Sequence, residues 1–259
     1  MKSLSLSIFW LMAMGWIGEN EVERAYSCQH RIELLGQIFA ALRHSQPTEH
    51  RAATARACPQ RAHLALFNFI GVADQVGALE LQQRHAAIRQ FADALCARHP
   101  QLNVVVHNAG IMRPEDLRAG AATIADAEAT VATNLLGPIR LTTALMPHLL
   151  RQRSATVVTV TSGLAFVPLA SFPTYCATKA ALHSWTESLR YQMQGTSVEV
   201  VELPPPYVQT ELTGAHQAAD PRAMPLAEFV AESMRLLTSA PTPAEVLVER
   251  VKPLRFEIG

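Results

Sequence analysis

The stretch Tyr175-Cys176-Ala177-Thr178-Lys179 places a phenol and an ammonium four residues apart in a region with a helical pattern. Residues with this spacing on a helix have Cβ atoms roughly 5–6 Å apart on one face. A lysine cation nearby favours the phenolate form of a tyrosine, so we expect Lys179 to lower the Tyr175 pKa from its ordinary value of about 10. Tyr175 could then exchange protons near neutral pH. The alternative is a buried aromatic ring beside a lysine that extends to solvent.

Apolar patterns around this stretch alternate between helix and strand from residue 86 onward. The predicted helices cover residues 86–98, 125–151 (with a bend at Gly137-Pro138) and 174–194, and the predicted strands cover residues 102–107, 155–161 and 197–203. The strands are β-branched and almost continuously apolar, which is typical of a parallel sheet covered on both faces. Their alternation with helices implies right-handed βαβ crossovers. The sequence therefore predicts an α/β fold with a Rossmann-like, doubly wound parallel sheet.

Residues suited to a ligand site follow three of the predicted strands. Asn108 follows the first, Ser162 the second, and the segment Pro204-Pro205-Pro206 the third. In open α/β sheets, ligands bind beyond the carboxyl ends of the strands. We therefore expect these three loops to border one crevice.

Charge and cysteine content narrow the range of partners. The chain has 22 Lys plus Arg and 22 Asp plus Glu without a basic stripe, which argues against nucleic-acid or anionic-membrane binding and favours a small neutral partner. Cys28, Cys58, Cys96 and Cys176 have neither close pairs nor zinc-ligand spacing, which indicates free thiols and a cytoplasmic location. No metal site is predicted, because no second ligand lies at metal spacing from His107, for which a local hydrogen bond is the better explanation.

An apolar run at residues 4–17 follows Lys2 and has the length of the apolar core of a signal peptide. It is too short for a comfortable membrane span. Acidic residues follow it in place of a clear small-x-small cleavage site, so we interpret it as a buried element or an artefactual start rather than a secretion signal.

From about residue 86 to its end, the chain resembles the short-chain dehydrogenase/reductase family. The matching pieces are, in order, His107-Asn108-Ala109-Gly110, Asn134 within residues 133–137, Ser162, Tyr175 with Lys179, and the loop at residues 205–210. In that loop Pro206 stands where the family has glycine. With the ending at residues 251–256, the loop is similar to the subgroup named after the oxidoreductase of the D-alanyl-lipoteichoic-acid operon. Taken singly, Ser162 could end a strand, Asn134 could be tolerated within a helix, and Thr210 could cap one.

The resemblance implies catalytic roles for four residues. Tyr175 would be the general acid that protonates a carbonyl oxygen as hydride arrives, and Ser162 would hold that oxygen. Lys179 would lower the Tyr175 pKa and bind the nicotinamide ribose. Asn134 would position a water that links Lys179 to solvent.

The resemblance also implies a cofactor, NAD or NADP, with no means of choosing between them. Asn108, Ala109 and Gly110 would border the cofactor together with Lys179, and Thr210 and the Val208 backbone would contact the nicotinamide carboxamide. The substrate would be a small carbonyl compound or alcohol. A homodimer or homotetramer is expected, formed through the helices that carry the site.

The first third of the sequence departs from this family. Residues 1–85 lack the Thr-Gly-x-x-x-Gly-x-Gly motif that brings the backbone to the pyrophosphate, and Gly15 and Gly18 are better explained as turn or packing residues. We therefore predict an anomalous N-terminal segment at 1–85, with the first βαβ unit atypical or missing, and a catalytic core at 86–259 with a substrate loop and helix at about 210–238.

Two explanations of that segment remain open. A shifted reading frame, an alternative start or a mis-joined segment would displace the N-terminal third of an enzyme. Alternatively, the chain is a catalytically impaired or non-enzymatic relative without a working dinucleotide site.

Overall fold

The structure is a computed structural model that describes residues 10–12, 63–67 and 78–256. The strands are β1 (Trp10–Met12), β2 (His63–Phe67), β3 (Leu102–His107), β4 (Ala155–Val160) and β5 (Val198–Leu203). The α-helices are α1 (Ala78–Arg98), α2 (Ile124–Val131), α3 (Gly137–Leu149), α4 (Pro173–Gln192), α5 (Ala215–Ala218), α6 (Leu226–Leu237) and α7 (Lys252–Phe256). Short 3₁₀ segments lie at Leu117–Thr123, Gly163–Ala165 and Glu249–Val251, and a π-helical turn, Ala132–Leu136, joins α2 to α3.

The strands form one sheet in the order β1-β2-β3-β4-β5. Strands β2 to β5 run parallel, in a register that aligns Val105 of β3 with Val157 of β4 and Val200 of β5. This confirms the predicted parallel sheet. Strand β1, for which no strand was predicted, instead pairs antiparallel with β2. Parallel sheets commonly carry an antiparallel strand at one edge, where only one neighbour sets its direction.

Side chains alternate between two cores along each central strand, as the period of two requires. Val105, Val157 and Val200 pack against α1, α3 and α4 on one face. Val106, Val158 and Val201 pack against α6 and the segment around Val248 on the other. The central strands are therefore covered on both faces, and this explains why their sequences are almost continuously apolar.

Most element boundaries lie within two residues of those predicted, and the larger differences are at helices. Helix α1 begins at Ala78 rather than 86, so β2, α1 and β3 form a βαβ unit that starts before residue 85. The predicted helix at 125–151 is divided by the π-helical turn, which lies just before the predicted bend at Gly137-Pro138. The glycines at 15 and 18 and most of the run at 4–17 lie outside the described residues. The division at residue 85 stays a prediction.

Candidate active site

The predicted site residues meet at the carboxyl ends of the central strands. Ser162 follows β4 and caps the short 3₁₀ segment, its Oγ accepting from the Leu164 N–H at 3.1 Å. Tyr175 lies in the first turn of α4, which begins at a proline, a residue suited to that position because its ring fixes a helical φ. Ser162 and Tyr175 line a cavity of about 420 Å³. Ser162 therefore lies two residues beyond the end of β4, and its side chain borders the cavity.

Burial controls the acidity of Tyr175. The side chain is 5% exposed, and burial raises its pKa to about 12, while a hydrogen bond with Ser162 acts in the opposite direction. The Tyr175 pKa is therefore raised, opposite to the net lowering that was expected from Lys179. The physical reason is that moving a phenolate out of water costs more free energy than its interactions with the surrounding groups supply.

Lys179 is buried one turn further along α4. Its Nζ donates to the Val160 carbonyl at 2.8 Å and lies 5.6 Å from the centre of the Tyr175 ring. Burial lowers the Lys179 pKa to about 8. The alternative of a lysine that extends to solvent is therefore wrong, since only 4% of the residue is exposed.

Asn134 joins the loop after β3 to helix α4. Its Oδ1 accepts from the Ile111 N–H at 2.9 Å, and its Nδ2 donates to the Ile111 carbonyl at 2.9 Å and to Thr178 Oγ1 at 3.3 Å. Asn134 is fully buried within the π-helical turn, a local widening that often occurs at functional sites. These three groups are the hydrogen-bond partners that the structure gives for Asn134. The role of Asn134 in holding a water stays a prediction.

The loop after β3 approaches this group closely at a glycine. A Cβ added to Gly110 would lie 3.6 Å from both Asn134 Oδ1 and Lys179 Nζ. The preceding His107 is buried, and its Nε2 pairs with Thr142 Oγ1 at 2.7 Å. Burial lowers the His107 pKa to about 4, so the ring is neutral at pH 7. The predicted local hydrogen bond of His107 is thus confirmed.

The loop after β5 completes the site. The Gly163 N–H donates to the Pro205 carbonyl at 2.8 Å, which holds this loop against the end of β4. Gln217 Nε2 donates to the Val208 carbonyl at 2.8 Å and to Thr210 Oγ1 at 3.0 Å. Gln217 is buried and was not among the predicted residues, because nothing in its local sequence distinguishes it from a surface glutamine.

A buried acidic residue behind the site was also missed. Glu202 of β5 is fully buried and accepts from Thr161 Oγ1 at 2.6 Å and from His183 Nδ1 at 2.8 Å. Thr161 precedes Ser162, and His183 is four residues beyond Lys179 on the same face of α4. The sequence did contain a signal, since an acidic residue at an inward position of an apolar strand needs a partner.

We predict that Glu202→Gln lowers the free energy of unfolding by about 1–3 kcal/mol, because an uncharged amide forms weaker hydrogen bonds with Thr161 and His183 than the carboxylate does. The hydrogen bond with Glu202 raises the His183 pKa, and Glu187 and Glu245 act in the same direction. A raised histidine pKa stabilises the fold fully below the ordinary value of about 6.5, and that stability is lost as pH rises through the folded-state pKa. Chemical denaturation at pH 5.5 and pH 9 should therefore show the larger loss at pH 5.5. Glu199→Gln, at an exposed position of the same strand, is the control, and equal losses in the two variants would contradict the prediction.

Comparison with known protein families places the chain among related sequences. The family model described as short chain dehydrogenase matches residues 48–221. The chain belongs to this family. DltE of Bacillus subtilis, an uncharacterised oxidoreductase, is 43% identical over 142 residues, which are 53% of this chain and 56% of that protein. The NADP-dependent 3-hydroxy acid dehydrogenase YdfG of Escherichia coli O6:H1 is 29% identical over 133 residues, or 50% of this chain and 52% of that protein.

Solved structures agree with the fold. A short chain dehydrogenase from Burkholderia cenocepacia, crystallised with NADP, has a TM-score of 0.55 and 23% identity, covering 67% of this chain and 74% of that one. This likeness confirms the Rossmann-like α/β fold.

The chain spans only about half the length of the curated relatives it matches. In the described part of the chain, every helix is too short or too polar to cross a membrane.

Proposed function

We propose that this chain interconverts a carbonyl compound and an alcohol by hydride transfer, with NAD or NADP as the cofactor and Tyr175 as the general acid/base. The observation that carries the proposal is the placement of the Tyr175 phenol beside Ser162 at the wall of a cavity, with the buried Lys179 one turn away on α4. Family membership supports the reaction class.

The raised Tyr175 pKa favours reduction of a carbonyl as the direction in which the phenol acts as acid. With a pKa of about 12, Tyr175 keeps its proton at neutral pH and can donate it to the more basic alkoxide oxygen that forms during reduction. Ser162 borders the same cavity and can donate a hydrogen bond to that oxygen. For oxidation of an alcohol, Tyr175 must first lose its proton, and a Lys179 cation would make that loss easier.

The residues around Lys179 fit the nicotinamide half of the cofactor, which would supply or accept hydride. The Lys179 ammonium has three donors, and within the described residues its one hydrogen bond goes to Val160, so two donors could hold ribose hydroxyls. Asn108, Ala109, Val208 and Thr210 would contact the nicotinamide side. A relative named NADP-dependent and a structural neighbour solved with NADP support this cofactor class, without choosing NADP over NAD for this chain.

The remaining assignments are proposals of the same kind. Residues 86–259 would form the catalytic core, with the loop and helices at 210–238 as its substrate side. The chain would act in the cytoplasm, which agrees with the free thiols of Cys96 and Cys176. It would assemble as a homodimer or homotetramer through α2, α3 and α4.

Titration of the purified chain with NADH and with NADPH, followed by calorimetry, tests the proposal directly. We expect saturable binding of at least one nucleotide, which the Lys179→Met variant weakens and the Lys252→Met variant leaves unchanged. Lys252 is the matched control because it is partly exposed and pairs with Glu249 on the surface. Binding of neither nucleotide would overturn the proposal and leave the non-enzymatic relative as the explanation.

A further inference from the structure

The cavity beside Ser162 and Tyr175 has walls of strongly apolar character. Its volume of about 420 Å³ is within the range of small-molecule sites. Six of the side chains that line it are large and apolar: Met112, Leu164, Leu169, Phe172, Leu212 and Leu254. Pro205 and Pro206 extend this surface toward the loop after β5. A substrate in this cavity would therefore lie mainly against hydrocarbon.

The charged group at this wall is already paired. Arg222 is the one lysine or arginine among the described residues that line the cavity. Its guanidinium donates to both carboxylate oxygens of Asp220, at 3.1 and 2.7 Å, and Tyr207 Oη donates to the same carboxylate at 3.1 Å. Because Asp220 neutralises Arg222, this pair offers little net charge to a substrate anion.

The polar groups deeper in the wall are also committed to protein partners. Thr213 Oγ1 lies 2.7 Å from Gln217 Oε1, to which it donates, and 3.2 Å from His216 Nε2. The Gln217 amide donates to Val208 and Thr210. Ser162 and Tyr175 are the polar side chains of this wall that the proposed function places at a substrate oxygen.

We propose that this cavity selects neutral carbonyl substrates with an apolar body over oxo acids and phosphorylated compounds. The inference rests on the proposed function and names its substrate class. Among the described residues that line the cavity, a carboxylate or phosphate would find Arg222 already paired with Asp220, so it would lose water without gaining an unpaired cation, which is a large cost for an ionised group. An alkyl or aryl body would instead gain from leaving water.

A matched pair of substrates tests the inference: 2-octanone, and 7-oxooctanoate, which carries a carboxylate in place of the terminal methyl group. With NADH or NADPH as reductant, we expect the kcat/KM for the ketone to exceed that for the acid by at least about 100-fold. Equal or greater activity with the acid would overturn the inference.

Calorimetric binding of 2-octanol and 7-hydroxyoctanoate separates this inference from the proposed function, because binding needs no turnover. A chain that reduces neither ketone but binds the neutral alcohol more tightly contradicts the proposed function and supports the inference. Tighter binding of the acid, or binding of neither compound, would overturn it.

A charge added to the wall gives a second test. Leu169 lines the cavity and is 44% exposed, so an arginine there can reach the substrate without being buried. Leu169→Arg should raise the ratio of acid to ketone kcat/KM by about tenfold or more, since a carboxylate would then have a partner. Leu150→Arg is the control, because Leu150 is also 44% exposed but ends α3 away from the cavity. An unchanged ratio in Leu169→Arg, or equal changes in both variants, would contradict the assignment of this wall to substrate.

Discussion

Tyr175→Phe is expected to lower the kcat/KM for carbonyl reduction by about 10²–10⁴-fold, the range that a positioned general acid contributes. The substitution removes one oxygen and keeps the ring, which is 5% exposed and packs in the first turn of α4. The loss should fall mainly on kcat, because the phenol donates its proton as charge develops on the substrate oxygen and not while the substrate binds. Steady-state kinetics with a saturating nicotinamide nucleotide measures both constants.

Tyr191→Phe is the matched control on the same helix. Tyr191 is 75% exposed and lies four turns beyond Tyr175, so its hydroxyl has no route to the cavity. We expect its kinetic constants to equal those of the unmodified chain. Chemical denaturation should show that Tyr175→Phe costs no more than about 1 kcal/mol, the net value of a hydrogen bond such as the one with Ser162. A Tyr175→Phe variant that retained more than a tenth of the activity would show that another group supplies the proton.

The central sheet could be predicted from the sequence because its signal is local. Strand β3 has the predicted bounds, and β4 and β5 differ from prediction by one residue at one end. Each is a β-branched apolar run bounded by polar or turn-forming residues. The antiparallel pairing of β1 could not be predicted, because strand direction at an edge depends on the path of the chain and not on side-chain pattern. The π-helical turn was also not predicted, and Asn134 within it bonds with Ile111 and Thr178, which are 23 and 44 residues away in the sequence.

The positions of the proposed site residues near the strand ends could also be predicted, but their electrostatics could not. Spacing alone indicated that Lys179 would lower the Tyr175 pKa, whereas burial raises that pKa and lowers that of Lys179. Burial depends on the strands and loops packed around α4, and these are distant in sequence. Glu202 illustrates the same limit, because its partners Thr161 and His183 are 41 and 19 residues away.

Lys179→Met is expected to stabilise the fold at neutral pH while it weakens nucleotide binding and lowers activity. The buried ammonium of Lys179 has a pKa of about 8, against an ordinary value of 10.5 that applies in the unfolded chain. Between these values the unfolded state binds more protons, so the stability of the unmodified chain rises with pH across this window. Below pH 8 the full cost of burying the charge is present, and the gap corresponds to about 3 kcal/mol. Methionine fills a similar volume and carries no charge.

The pH dependence distinguishes this cause from ordinary repacking. At pH 7 Lys179→Met should be more stable than the unmodified chain by up to about 3 kcal/mol, reduced by the lost hydrogen bond to Val160. The difference should shrink as pH rises from 8 toward 10.5, because folded Lys179 then loses its proton while the unfolded chain still binds one, so the unmodified chain gains stability. Chemical denaturation at pH 7 and pH 10 measures this, with Lys252→Met as a partly exposed control for which we expect no such trend. A destabilised Lys179→Met at pH 7, or a gain independent of pH, would mean that Lys179 is not a strained cation. A variant that is more stable but inactive would instead show that the buried charge of Lys179 lowers the stability of the fold and is needed for activity.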